Sequence, residues 1–198
     1  MKHLLSALFL FLLIIPMQAQ TAEEDNTPYR QIPDAPEGYT AGAMVSRMID
    51  GLGFRYYWAS EGLTLANLNY KPSAKARNLE ETIDHIYGLS RAILFAAKKE
   101  VDDRSLQAKE TLSFEAKRKQ TLLNFQEASI LYKETNDIAA HKIVFRTKQG
   151  DSEFPFWNNL NGFIADAIWH SGQVVVMRRA AGNPINSKIS VFTGTVRE

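Results

Sequence analysis

From Thr40 onward, apolar residues recur at helical intervals in four stretches. Val45, Met48, Ile49, Leu52, Tyr56 and Ala59 form the first stripe, the spacing with which a helix buries one face, and Thr40 stands where its hydroxyl caps the first turn. Gly51 and Gly53 fall inside this stretch without breaking its period. No strand precedes them and large aromatic residues follow, so they read as close helix packing rather than as a phosphate loop. Asn78 followed by Glu81 is a capping-box start for a second helix. Its stripe is Leu79, Ile83, Ile86, Leu89, Ile93 and Ala97, with His85 at the stripe's edge. A third helix, Ser113 to Glu134, buries Leu122, Phe125, Ala128, Leu131 and Tyr132 and is charged on its other side. The fourth begins near Pro155 and stops before Gly182 and Pro184, with Leu160, Phe163, Ile164, Ala167, Ile168, Val174 and Met177 on one broad face.

Between these stretches the pattern changes. "GLTLANLNYKPSAKARN" reads as an irregular connection. His141 to Thr147 alternates, Gly150 and Asp151 mark a turn, and the tail "SKISVFTGTVRE" alternates again, so these two segments are expected to pair as a short two-stranded ribbon near the C-terminus. Four helices with one apolar face each, two of them joined by a long connection, predict an all-α four-helix bundle over residues 40–198. Residues 21–39 are polar and contain Pro28, Pro33 and Pro36, the composition of an extended tether with few core contacts. The first twenty residues, "MKHLLSALFLFLLIIPMQAQ", combine an early lysine, a short apolar run and a small-residue stretch. That layout predicts a signal peptide over 1–20, hence an exported protein, periplasmic or secreted, with no stable membrane span after cleavage.

Charge and cysteine usage narrow the function classes. The chain's 23 basic and 22 acidic residues nearly cancel, so there is no basic stripe for nucleic acid. It has no cysteine, which excludes disulfides and a thiol nucleophile of its own. No Gly-x-Ser-x-Gly element, His-Glu-x-x-His helix or nucleotide loop occurs. Chemistry then rests on histidine. Beyond His3 there are His85, His141 and His170, and Asp166 lies one helical turn before His170, so the two side chains share a face. Two readings stay open for that pair: a structural hydrogen bond, or half of a metal site. If the second and fourth helices are neighbours, His85 completes a two-histidine, one-carboxylate set with open coordination positions. Arg178, two turns beyond His170, reads either as an anion contact at a pocket mouth or as a partner of its own helix dipole. The aromatic residues Tyr56, Tyr57, Trp58, Phe154, Phe156, Trp157 and Trp169 read mostly as core.

Two phrases carry a family resemblance. "GLTLANLNYKPSAKARNLEETIDHIYG" and "DAIWHSGQVVVMRRAAGNP" stand in the order, and at the separation, that the DinB-like metal-binding bundles show, and the likeness spans about Thr40 to Pro184. The resemblance implies up-down-down-up topology with a long crossover between the second and third helices. It also implies His85 and His170 as ligands of one divalent ion, zinc or nickel first and manganese or iron next. Asp166 stands where the family usually has histidine, either as a third ligand or as a partner of His170. His141 matches no ligand of the family and reads as a surface or strand-end residue. The resemblance implies thiol-dependent transfer or isomerisation of a small-molecule substrate, with the thiol supplied by a cosubstrate; metal-dependent hydrolysis is a separate reading, drawn from the open coordination position where water would be activated. The alternative is a non-catalytic binding module with a degenerate site. A homodimer is the expected assembly.

Overall fold

The computed structural model describes residues 26–105 and 112–198. The predicted signal peptide, and part of the crossover before the third long helix, lie outside the described residues. α1 (Ala41–Ser60) starts where Thr40 Oγ1 accepts from the Ala43 amide at 3.1 Å. α2 (Leu65–Leu68) is a single turn with its own capping box between Thr64 and Asn67. Asn78 and Glu81 close the expected box on α3 (Leu79–Lys98): the Glu81 amide donates to Asn78 Oδ1 at 2.7 Å and the Asn78 amide to Glu81 Oε2 at 2.8 Å. Two otherwise unpaired donors are satisfied at once. Ser113 caps α4 (Phe114–Lys133). A π-helical segment, Asn159–Ile164, leads into α5 (Ala165–Ala180). Gly182, at φ +80°, then reverses the chain, with Asn183 N donating to Arg178 O and Gly182 N to Arg179 O, a Schellman stop.

α1 and α3 each pack against both α4 and α5, enclosing a core of Ile49, Leu52, Tyr56, Ile83, Ile86, Ile93, Leu122, Phe125 and Ile164. The expected all-α four-helix bundle is nevertheless corrected. Among the described residues, a three-stranded and a two-stranded sheet accompany five α-helices, so helices and strands are mixed. β1 (Val101–Asp103) pairs parallel with β2 (Ile143–Thr147), which pairs antiparallel with β3 (Gly150–Phe154). β4 (Ile189–Ser190) pairs with β5 (Thr195–Val196). The predicted ribbon is found in part: a two-stranded ribbon does lie near the C-terminus, but the tail forms it with itself as β4 and β5, while β2 takes the segment immediately after it instead of the tail. Thr147 faces Gly150 across the turn, and closing so short a loop costs far less chain entropy than recruiting a strand from the C-terminus.

The segment before α1 is no tether where it is described. Tyr29 is 4% exposed, and its hydroxyl donates to Asp50 Oδ1 at 3.0 Å. Its ring fills the space that Gly53 leaves, where a Cβ would lie 2.5 Å from ring carbons. Trp58 Nε1 donates to Arg30 O, Arg47 to Pro33 O, and Ile32 N to Gly194 O. A composition rich in proline and polar residues argued for a tether, while one aromatic side chain, on a backbone turned at Tyr29 (φ 75°), decided that the segment would dock. Among the described residues, no helix is long and apolar enough to cross a membrane.

Candidate metal centre

The capping box fixes where α3 begins, and with it the side on which His85 falls. Leu79, Ile83 and Ile86 point into the core, leaving His85 on the flank that faces α5. On α5 the inward residues Ala167 and Ser171 are small, and Ser171 Oγ folds back to donate to Ala167 O at 2.8 Å. Small inward side chains allow close approach of neighbouring helices. The π-helical segment immediately upstream adds a residue to its turn, and such turns re-aim the side chains that follow them. Asp166 and His170 emerge from the first turns after it.

The three residues meet. His85 Nε2 lies 3.0 Å from Asp166 Oδ2, and His170 Nε2 lies 3.3 Å from Asp166 Oδ1. The imidazoles stand edge to face with ring centroids 4.6 Å apart, and one donor atom from each residue lies within 4.8 Å of the other two. All three are half-buried, with His170 the most enclosed at 15% side-chain exposure. On its far side, His170 Nδ1 lies 2.8 Å from Gln173 Oε1. An amide oxygen only accepts, so with Gln173 turned this way Nδ1 is the donor to it and Nε2 is the nitrogen directed towards Asp166. His170 is thereby held between Gln173 and Asp166, with Nε2 on the side of the carboxylate.

The donor set suits a cation. A tetrahedral zinc ion about 2.1 Å from each donor needs donor separations of about 3.4 Å; one donor atom from each of the three residues lies within 4.8 Å of the others, so the set draws together by side-chain rotation to hold such an ion. Three protein donors leave a position for water or substrate. The set opens on a cleft of about 1040 Å³, whose walls include Arg77, Thr82, Trp169, Gly172 and Met177.

Other expected candidates lie elsewhere. His141 is 2% exposed, placed between Ala96 O at 3.2 Å and Thr135 Oγ1 at 3.0 Å; it precedes β2, and burial pushes its pKa down. The strand-end position is found, but the residue is an internal bridge rather than a surface one. Arg178 is 4% exposed and does not line the cleft. Its guanidinium donates to the carbonyls of Trp58 and Ala59, both at 3.0 Å, and to the backbone and side chain of Asn183. The pocket-mouth reading of Arg178 is corrected: it satisfies the end of α1 and the Asn183 turn after α5, and it stands in the last turn of its own helix, where a cation complements the dipole. Of the aromatic set, Tyr56, Tyr57 and Phe156 are core, whereas Trp157 and Trp169 are exposed and Trp169 walls the cleft.

Gln173, Arg77 and Gly172 were missed as candidates. Gln173 was legible in principle, since it follows His170 at a spacing that shares a helix face. Gly172 stands beside Gln173 in the second phrase that carries the family resemblance, whereas Arg77 had no such signal. A separate buried cluster joins Asp50, Tyr29, Ser129 and Ser46, with Ser129 Oγ donating to Asp50 Oδ1 at 2.6 Å. Burial there raises the carboxyl's pKa against the lowering effect of its hydrogen bonds.

A comparison of the chain with protein-family models, curated proteins and solved structures finds no match, so the functional reading rests on the residues and their geometry.

Proposed function

We propose that His85, Asp166 and His170 hold one divalent ion, and that the protein uses it to activate water or a small thiol against an electrophilic small molecule, as a metal-dependent hydrolase or thiol-type transferase of the DinB-like kind. The observation that carries this reading is the meeting of two imidazoles and a carboxylate at the wall of an open cleft, with one donor atom from each residue within 4.8 Å of the others. A bound divalent ion lowers the pKa of water or a thiol enough to supply a nucleophile near neutral pH. Gln173 holds the His170 ring with Nε2 aimed at the cleft, the role that a hydrogen-bond partner behind a ligating imidazole plays. Asp166 supplies the negative charge that offsets a cation between two neutral rings. The chain has no cysteine, so a thiol would enter as cosubstrate. The export reading rests on residues 1–20 and is tested by the N-terminal sequence of the secreted protein.

A second reading has its own support. His85 Nε2 and Asp166 Oδ2 form a hydrogen bond at 3.0 Å that needs no ion, as in a binding module that keeps the fold without chemistry. Metal analysis after purification without chelator or affinity metal separates the two. One equivalent of zinc, nickel, manganese or iron in the wild type, lost in His170→Ala and weakened in Gln173→Leu, supports the metal centre. Absence of stoichiometric metal, with no thermal stabilisation by any of these ions, sinks it in favour of the binding module.

A further inference from the structure

The cleft beside the three-residue set is chemically lopsided. Among its lining residues Arg77 is the basic one and Asp166 the acidic one. Arg77 is exposed, and among the described residues its guanidinium makes no hydrogen bond or ion pair. Lys71 and Lys75, on the same connection between α2 and α3, are exposed as well. The start of α3 next to Arg77 offers no competing anion site, because Asn78 and Glu81 already satisfy each other's amides there. Outside the three-residue set, the cationic side chain that an anion in the cleft meets is the arginine, a planar donor suited to a carboxylate.

The opposite wall is apolar. Trp169 is 71% and Val176 62% exposed, and both project into the cleft from one face of α5. Gly172 lies between them. A Cβ there would meet nothing within 4 Å, so no neighbouring side chain requires the glycine, although glycine weakens a helix interior relative to alanine. What its absence of a side chain preserves is access of a ligand to the helix backbone between two large apolar groups.

We propose that the cleft binds a small amphipathic carboxylate: the head group on Arg77, and the apolar body across Gly172 between Trp169 and Val176. Its other end reaches the His85, Asp166 and His170 set. As the substrate class of the metal centre this rests on the reading above; the head-group contact does not.

The test is calorimetric titration with 4-phenylbutyrate and its uncharged isostere 4-phenylbutanamide. Wild-type protein is expected to bind the acid about fivefold more tightly than the amide, the scale of one partly exposed ion pair. Arg77→Gln is expected to remove that preference while keeping the amide's affinity, and Gly172→Leu to weaken both probes. Gly172→Ala serves as the folding control and is expected to raise Tm by about 2–4 °C. Equal affinity for the two probes, no binding of either, or a preference that survives Arg77→Gln overturns the proposal. The same titration on His170→Ala separates this inference from the metal reading. A preference that persists there sustains the Arg77 contact even if wild-type protein holds no metal. A preference that is lost in His170→Ala but kept in Arg77→Gln places the anion on the metal centre instead and overturns the contact.

Discussion

Replacing Arg178 by methionine tests the assignment in which sequence and structure differ most. Methionine keeps much of the buried stem's volume, so the change isolates the guanidinium. Four hydrogen bonds disappear, to Trp58 O, Ala59 O, Asn183 O and Asn183 Oδ1, and the last turn of α1 loses the donor that serves its free carbonyls. At about 1 kcal/mol net for each bond, the loss is about 4 kcal/mol. Relief from burying a cation, the cause of the lowered Arg178 pKa, offsets part of it. A net loss of about 3 kcal/mol is a large fraction of the roughly 5–15 kcal/mol that holds a domain together. In urea unfolding followed by far-UV circular dichroism, the midpoint should fall by about 1–2 M with the slope unchanged. Metal content and 4-phenylbutyrate affinity should stay at wild-type levels wherever the variant is folded. A midpoint within about 0.3 M of wild type, together with weakened ligand binding, would refute the capping role and return Arg178 to the pocket mouth.

Gly53→Ala ought to stabilise a bare helix, but here its methyl group displaces the Tyr29 ring, so we expect a loss of about 1–3 kcal/mol and faster proteolysis between residues 26 and 38; a gain in stability would show that the segment is not docked through Tyr29. Asp50 has a raised pKa from burial, so the folded state binds its proton more readily than the unfolded state. The linked stability falls as pH rises from the ordinary carboxylate range through that raised value. Asp50→Asn should flatten this slope in denaturation measured from pH 4 to pH 8, and an unchanged slope would count against it. His141 acts with the opposite sign: its pKa is lowered by burial, so the stability it contributes is present above about pH 6.5 and lost as pH falls through the folded value. In His141→Gln that acid-side loss should shrink; a steeper loss would contradict the buried, neutral assignment.

How much was legible in the chain varies by element. The four long helices could be read because each has a private signal: Thr40, Asn78 and Ser113 close caps as their side-chain chemistry dictates, Gly182 takes the left-handed stop, and apolar period reports the buried face. Short strands have no such redundancy. Val101–Asp103 is too brief for alternation to register, and β3 is exposed along its length, so its pairing comes from the turn and the neighbour rather than from burial. Tyr29 likewise sits in a segment whose composition argues for a tether, because a single buried ring leaves no periodic trace.

The same division runs through the candidate site. The sequence by itself determined that Asp166 and His170 share a helix face, since one turn of α-helix sets that spacing locally, and it identified His85 as the histidine at the edge of another stripe. Only the tertiary structure decided that α3 and α5 are neighbours, that both carboxylate oxygens of Asp166 each meet an imidazole, and that Arg178 reaches the carbonyls at the end of α1. Caps and periods are interactions between residues a few positions apart, so local chemistry specifies them. A contact between Asp166 and His85, or between Arg178 and Trp58, depends on how whole helix faces fit together, and no short stretch of the chain carries that information.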